Sequence, residues 1–524
     1  MKFIDLGSFK DFLIRAVSLR WFLFANFCLF VLTRYVFYFI GYLPCFNPDT
    51  ATYYRPVQNL LQGIYPSFGM ATPVYPAVLG FFTLFLNNNF FILLFNSLLT
   101  LLASSALIIS ARQLVSGKLY IVLVCVLILF FNSGSVLLEE TTIGPASMFS
   151  SIVVFIFITI HSILRNSATL KNTLFLSFLV FVAVLTRPQG VFLLFFICAV
   201  CVAFLILKRY KHLVLIVGFN IMLYAGFSLY NKATGSGLTP LPSNLYLHSK
   251  IGKNIHTLKK PQGLPADIAH IVDSVNSTFS KDHDNIIQNS WNYSKLKQQF
   301  TIANYDKAWA FYGLIQTNPK GVKMLTDASS GNYKLKAKYM YFVFFSYFDI
   351  YTEEHLFYDH YFNNRYSVFC ETKELKMYQS PKQASFCLKD FSVFTDTSVS
   401  EQMRDNYCSE LNTKRTAVFK NPLFKLCSYI DNVSYHLINN IVWPVLFFLC
   451  LLFGVYLFFK TAPDKRSTLI TATISPLIIF GNIAVFMASI MPNSRYTLAT
   501  AVFLYLFVFE LISLYLTKRK ELQH

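Results

Sequence analysis

The sequence predicts an all-α polytopic membrane protein, and three observations carry that prediction. The chain is 55% hydrophobic and 17% aromatic but only 14% charged, whereas soluble domains average about 25% charged residues. Its apolar residues fall in blocks long enough to cross the roughly 30 Å hydrocarbon core of a bilayer. Its basic residues gather at the ends of those blocks, which is the positive-inside pattern. The net charge of +19 therefore describes orientation and gives no ground for a nucleic-acid partner.

The elements follow in chain order. Lys2, Lys10, Arg15 and Arg20 precede the first apolar run, "WFLFANFCLFVLTRYVFYFIGYL" (21–43). This places the N-terminal side in the cytoplasm, and with no small-residue cleavage site the run reads as a retained helix. Later basic clusters are Arg112/Lys118, Arg165/Lys171, Lys208-Arg209 with Lys211, Lys460/Lys465-Arg466 and Lys518-Arg519-Lys520. About ten transmembrane helices put all of them in the cytoplasm: 21–43, 90–111, 119–138, 145–164, 172–186, 190–207, 213–230, 436–459, 467–490 and 496–516. Residues 74–86, "VYPAVLGFFTLFL", are too short to cross and are expected as a surface helix in a first external loop, 44–89.

Three segments result: an N-terminal membrane domain over 1–230, a large extracytoplasmic loop domain over 231–435, and a C-terminal membrane domain over 436–524. Cys370, Cys387, Cys408 and Cys427 share the external loop, where an oxidising compartment allows two bridges in any of three pairings. Their alternative is free thiols in irregular loops. The sequons at Asn276, Asn292 and Asn432 lie in the same loop and suit an endoplasmic reticulum membrane, yet asparagine-rich loops yield such matches by chance. A bacterial inner membrane is the expectation.

Certain charged residues stand where charge is expensive. Asp49, in "NPDTATYYRPVQNLLQG" (47–63), sits just outside the first helix. It is either the N-cap of a short helix or a general base, since a carboxylate at the interface can meet a lipid-borne donor and a water-side acceptor together. Glu139 and Glu140 end the third run on the same side, as solvated loop carboxylates or as groups that position an acceptor. Arg34 lies inside the first run, where it either snorkels or faces a polar cavity. Arg187 and Arg495 stand at outer span ends, as interfacial anchors or phosphate-binding forks. Tyr53, Tyr54 and Tyr496 fit an aromatic belt or hydrogen bonds to a sugar or phosphate.

The first-loop stretch, followed by "ATPVYPAVLGFFTLF", resembles the polytopic glycosyltransferases of superfamily C, in particular their protein O-mannosyltransferase-like and lipid A aminoarabinose transferase-like members. The likeness extends to the acidic pair in "LLEETTIGPAS", to "LTRPQG" and to "MPNSRYTLATAVFLYLF". It touches roughly residues 21–230 and 436–516 and leaves the long loop unmatched. The resemblance implies inverting transfer of a sugar from a polyprenyl-phosphate donor to an extracytoplasmic acceptor, whether lipid A, a surface glycan such as O-antigen, or protein. It casts Asp49 as the base, Glu139 or Glu140 as a helper, and Arg34, Arg187 and Arg495 with Tyr496 at the donor phosphate. Tyr53 and Tyr54 would meet substrate.

No cofactor is expected. The cluster "YTEEHLFYDHYFNNRY", with Glu353, Glu354, His355, Asp359 and His360, matches no tight metal-ligand template and reads as an aromatic loop at the membrane surface. A lipid-linked oligosaccharide polymerase or ligase remains an alternative, as does a multispan transporter. The former would carry its working residues in late loops, and the latter would show two matching halves.

Overall fold

The structure is a computed structural model that describes residues 19–36, 53, 56–57, 59–60, 63–64, 72–86, 90–115, 118–141, 144–165, 169–206, 208–234, 238, 262–277, 285–287, 289–300, 320–321, 324, 333–349, 420–438, 440–461, 467–486 and 498–521. Every regular element among them is helical. Hydrocarbon offers no water to the backbone, so apolar runs of this length satisfy their N–H and C=O groups within helices.

The first half contains α1 (Leu19–Tyr35), α2 (Val74–Leu86), α3 (Phe90–Leu114), α4 (Lys118–Phe131), α5 (Gly134–Thr141), α6 (Ala146–Arg165), α7 (Leu170–Thr186), a 3-10 turn (Pro188–Phe192), α8 (Leu193–Ile206) and α9 (Tyr210–Ala233). The loop region contributes α10 (Ala266–Ser277), α11 (Tyr333–Asp349) and α12 (Pro422–Ile438). The last part holds α13 (Val442–Lys460), α14 (Ser467–Ala472), α15 (Ile474–Phe486) and α16 (Leu498–Glu521). Five helical stretches are long and apolar enough to cross a membrane: Phe91–Leu114, Ala146–Leu164, Tyr210–Ala233, Pro422–Lys460 and Leu498–Thr517. Each of the other apolar runs also carries a helix, though a shorter one.

The helices pack around α16. Its residues from Ala499 to Leu511 are buried on all sides, and it touches α4, α6, α13 and α15. Aromatic pairs lock it in: Trp443 meets Tyr505 edge-on at 4.9 Å, Phe157 meets Phe503 at 5.1 Å, and Phe447 meets Phe507 at 5.4 Å. Apart from the buried Thr500 and Glu510 the stretch is apolar all round, as an interior helix is. By contrast α9 and α13 turn rows of large apolar side chains outward, among them Val214, Ile221, Leu452 and Phe459.

Polar side chains join neighbouring helices. Asn220 of α9 donates to the Ser177 hydroxyl of α7 at 2.9 Å, and Thr173 meets Nδ1 of His212 at 3.1 Å. Such bonds hold helices together where lipid removes any hydrophobic drive between them.

The structure departs from the sequence reading in three places. The single third helix expected over 119–138 is two helices, α4 and α5, broken at Asn132-Ser133. Both side chains turn back onto the final turn of α4: Asn132 Nδ2 donates to the Ile128 carbonyl at 2.8 Å and Ser133 Oγ to the Phe130 carbonyl at 2.7 Å. Side chains that bond backbone in this way compete with helix continuation, and Gly134 follows as a poor helix former.

Second, the sequence reading assigns the long loop no packing, and helices from it lie against the membrane-type helices. α11 packs on α15 and α12 on α4. Third, Glu139 and Glu140 are not solvated loop carboxylates; both are buried on α5. The helix expected over 74–86 is present over those residues, packed against α3 and α7.

Candidate functional site: a buried arginine–carboxylate centre

Arg34, in the last turn of α1, is 4% exposed and does not snorkel. Its Nε donates to Oε2 of Glu140 at 3.0 Å, and Nη2 donates to Oε1 at 2.5 Å and to the Phe131 carbonyl at 2.9 Å. Nη1 donates to the Asn132 side-chain oxygen at 2.6 Å and to the Thr33 hydroxyl at 3.0 Å. Five N–H donors thus meet five acceptors, and the guanidinium lies 4.2 Å from the Phe30 ring centre. The two-point fork to a carboxylate is geometry that arginine offers and lysine does not.

Expected among the phosphate-binding arginines, Arg34 instead spends its whole donor set inside the protein. Glu140 is fully buried and also accepts from Ser97 Oγ of α3 at 2.8 Å. One centre therefore ties α1, α3, α4 and α5 together.

The break between α4 and α5 positions this centre. It brings Asn132 under Arg34 and starts the short helix that carries the carboxylates. Asp431, buried on α12, accepts from the Gly134 backbone N–H at 2.7 Å and so caps that helix. Consecutive helical residues diverge by about 100°, so Glu140 turns to Arg34 while Glu139, also buried, points elsewhere. Behind Arg34 the network continues: Asn132 Nδ2 lies 3.4 Å from Asn26 Oδ1, and Asn26 Nδ2 donates to Ser104 Oγ at 3.0 Å.

The first loop meets this centre through aromatic side chains. Tyr53, half-buried, packs edge-on against the fully buried Tyr75 of α2 at 5.4 Å. The Tyr75 hydroxyl faces the Asn96 side chain and the Gly144 backbone, and burial pushes its pKa well above the ordinary tyrosine value. It stays a neutral hydroxyl. Asn96 Nδ2 in turn lies 3.4 Å from the Glu140 carbonyl.

On the other flank of α2, the Thr72 hydroxyl donates to the Thr186 carbonyl at 2.6 Å. Arg187 follows immediately. It ends α7 in an extended conformation, with φ −151° and ψ 133°, and is 6% exposed. That burial does not fit a surface anchor. Pro188 opens the 3-10 turn, and Gly190 folds back so tightly that a Cβ there would stand 2.7 Å from the Ala183 carbonyl oxygen.

From this turn a polar chain crosses to the last helices. Gln189 Nε2 donates to Asn482 Oδ1, and Asn482 Nδ2 donates to the Thr500 hydroxyl at 2.8 Å. That hydroxyl also meets the Tyr347 hydroxyl of α11 at 2.5 Å. Gln189 and Asn482, on either side of the long loop in sequence, are thus linked directly, and Tyr347 from within the loop joins the same chain at Thr500.

The sequence candidates divide accordingly. Arg34, Glu140 and Tyr53 belong to one connected region, and Arg187 stands on the far flank of α2. Asp49, Tyr54, Arg495 and Tyr496 lie outside the described residues, as do the 353–360 cluster, Cys370, Cys387 and Cys408. Cys427 is buried on α12. Sequence reasoning missed Asn26, Asn96, Ser97, Asn132 and Asp431. The first four carried a usable signal, since polar residues inside apolar runs mark interior faces; Asp431 was hidden by its place in a polar loop. Among the described residues no three His, Cys, Asp or Glu gather as a metal site.

Fold and site together define an all-helical protein with membrane-length apolar helices and a buried arginine–carboxylate centre. The chain matches no family model, no curated protein and no solved structure.

Proposed function

We propose that this chain is a membrane glycosyltransferase that moves a sugar, with inversion, from a polyprenyl-phosphate donor to an acceptor hydroxyl outside the cytoplasm. The reading adopts the ten-span topology, with Lys118 inside and Pro261 outside, in a bacterial inner membrane or, in a eukaryotic host, the endoplasmic reticulum. The observation that supports it most is the Arg34–Glu140 pair with its full set of partners. Charges within apolar helices are costly and persist where a function needs them.

In this reading the pair is the foundation of the site. It fixes the end of α1, from which the first loop leaves toward Asp49, against the helix that carries Glu139. Asp49 takes the proton of the acceptor hydroxyl. The acceptor oxygen attacks the anomeric carbon opposite the phosphate, the carbon–oxygen bond to phosphate breaks, and polyprenyl phosphate leaves with the bonding electrons. Arg187 and Arg495, with Tyr496, stabilise the charge that develops on the departing phosphate. Tyr53 and Tyr54 face the sugar, and Glu139 orients the acceptor. No metal is required.

The test is mass spectrometry of the host's surface lipids, glycans and glycoproteins with and without the chain. Loss of one glycosyl unit, restored by the wild-type chain and not by Asp49→Asn, supports the reading. An unchanged glycan profile overturns it. Unchanged glycan linkages with shorter chains would favour a polymerase instead.

A further inference from the structure

α11 and the neighbouring Trp291 bring together lysines, exposed apolar side chains and aromatic rings. The first turns of α11 hold Lys334 and Lys336, with Lys336 Nζ 5.6 Å from the Tyr333 ring centre. Farther along, Met340 and Phe345 stand 46% and 44% exposed, and Trp291, packed edge-on against Tyr341 at 5.7 Å, is 48% exposed. Through Tyr341, which also lies 4.7 Å from Phe345, Trp291 and Phe345 form one continuous aromatic patch, and soluble surfaces seldom leave such a patch in water.

The last turn of α11 fixes the orientation of this stripe. Phe348 packs on Phe447 and Phe448 of α13 at 6.2 and 5.2 Å, and Phe344 packs on Phe448 at 6.2 Å. Phe448 belongs to the outward apolar row of α13, which starts at Val442 and Val445 and runs on to Leu452, 71% exposed. Tyr341 and Phe345 are 4.7 Å apart, and Phe344 and Phe345 5.5 Å. The aromatic surface of α11 is therefore continuous with the face that α13 turns to lipid. Lys336 stands at most about 18 Å up the helix axis from Phe348.

We propose that α11 is an interfacial anchor: its aromatic stripe lies in the membrane boundary, and Lys334 and Lys336 hold anionic lipid headgroups. Aromatic rings favour that boundary, and lysine stems reach from it to the headgroup phosphates. Because Tyr347 on the same helix bonds Thr500, lipid contact at one face of α11 bears on the polar chain at the other. The proposal rests on reading α13 as a membrane span.

The full chain in nanodiscs of phosphatidylcholine and phosphatidylglycerol tests it, with the photoreactive residue p-benzoylphenylalanine placed in turn at Phe345, Leu452, Tyr333 and His270. His270 is exposed on α10 and serves as the aqueous control. Irradiation and mass spectrometry read the lipid adducts. Adducts at Phe345 and Leu452 with none at His270 are expected. At Tyr333 phosphatidylglycerol should be enriched over its share of the bilayer by roughly fivefold for each lysine engaged, and Lys334→Gln/Lys336→Gln should abolish the enrichment. Lipid at Leu452 without lipid at Phe345 overturns the anchor while leaving the membrane reading intact. No lipid at either site overturns the membrane reading of α13 itself. Adducts at Tyr333 that follow bulk composition overturn the anionic contact.

Discussion

Both carboxylate oxygens of Glu140 accept from the Arg34 guanidinium, at 3.0 and 2.5 Å, and neither side chain is more than 5% exposed. Removing one partner strands the other as an unpaired buried charge, which typically destabilises by about 3–5 kcal/mol. Arg34→Met and Glu140→Leu are each expected to lose that much, and the double variant should recover much of it. Denaturant unfolding of all four proteins in one detergent measures the coupling. Additive losses would show that the pair does not act as a unit.

Asp431 is expected to matter through the bond it accepts from the Gly134 N–H. Asn caps a helix about as well as Asp, so Asp431→Asn should stay near wild type in stability, while Asp431→Ala should lose about 0.5–2 kcal/mol. Thermal unfolding of the purified variants separates them. Equal losses in both would assign Asp431 to an interaction that needs its charge.

Asp49 carries the sharpest catalytic expectation. Asp49→Asn keeps shape and capping but not proton acceptance, and losing a general base typically slows a reaction by about 10²–10⁴-fold. Sugar transfer by monodisperse protein, measured beside thermal stability, reads the outcome. A stable Asn variant within about threefold of wild type, against that expected loss, removes Asp49 from the mechanism.

Arg187→Ala and Arg495→Ala are expected to weaken use of the polyprenyl-phosphate donor at unchanged expression. A charged contact to phosphate is worth about 1.5–3 kcal/mol, or roughly ten- to a hundredfold in rate. Turnover at saturating and limiting donor distinguishes binding from chemistry. Wild-type rates in both variants would make them purely structural arginines.

Much of the helical framework was legible because a residue's helical and apolar character is local. The run at 74–86 was read with its observed bounds, since thirteen apolar residues are a helix too short to cross. The break at Asn132 was not read, because its cause lies in side-chain bonds back to Ile128 and Phe130 and in a cap from Asp431. Arg34 was visible as a costly charge, but its partner Glu140, 106 residues away, was not. Long-range pairing leaves no periodic trace, and a polar loop conceals residues such as Asp431 and Tyr347 that dock back.

The bond from the Gly134 N–H to Asp431 spans 297 residues, and that distance sets a timetable for biosynthesis. A ribosome adding about 5–20 residues per second needs roughly 15–60 s to cover it. Through that interval the N-terminal half holds Arg34 and Glu140 while α5, the helix that carries Glu140, lacks its cap. The half-made protein waits in the bilayer as an unfinished intermediate, open to chaperones and to membrane proteases. Chains that stop short of residue 431 would remain in that vulnerable state, so quality control has a natural checkpoint at the arrival of α12.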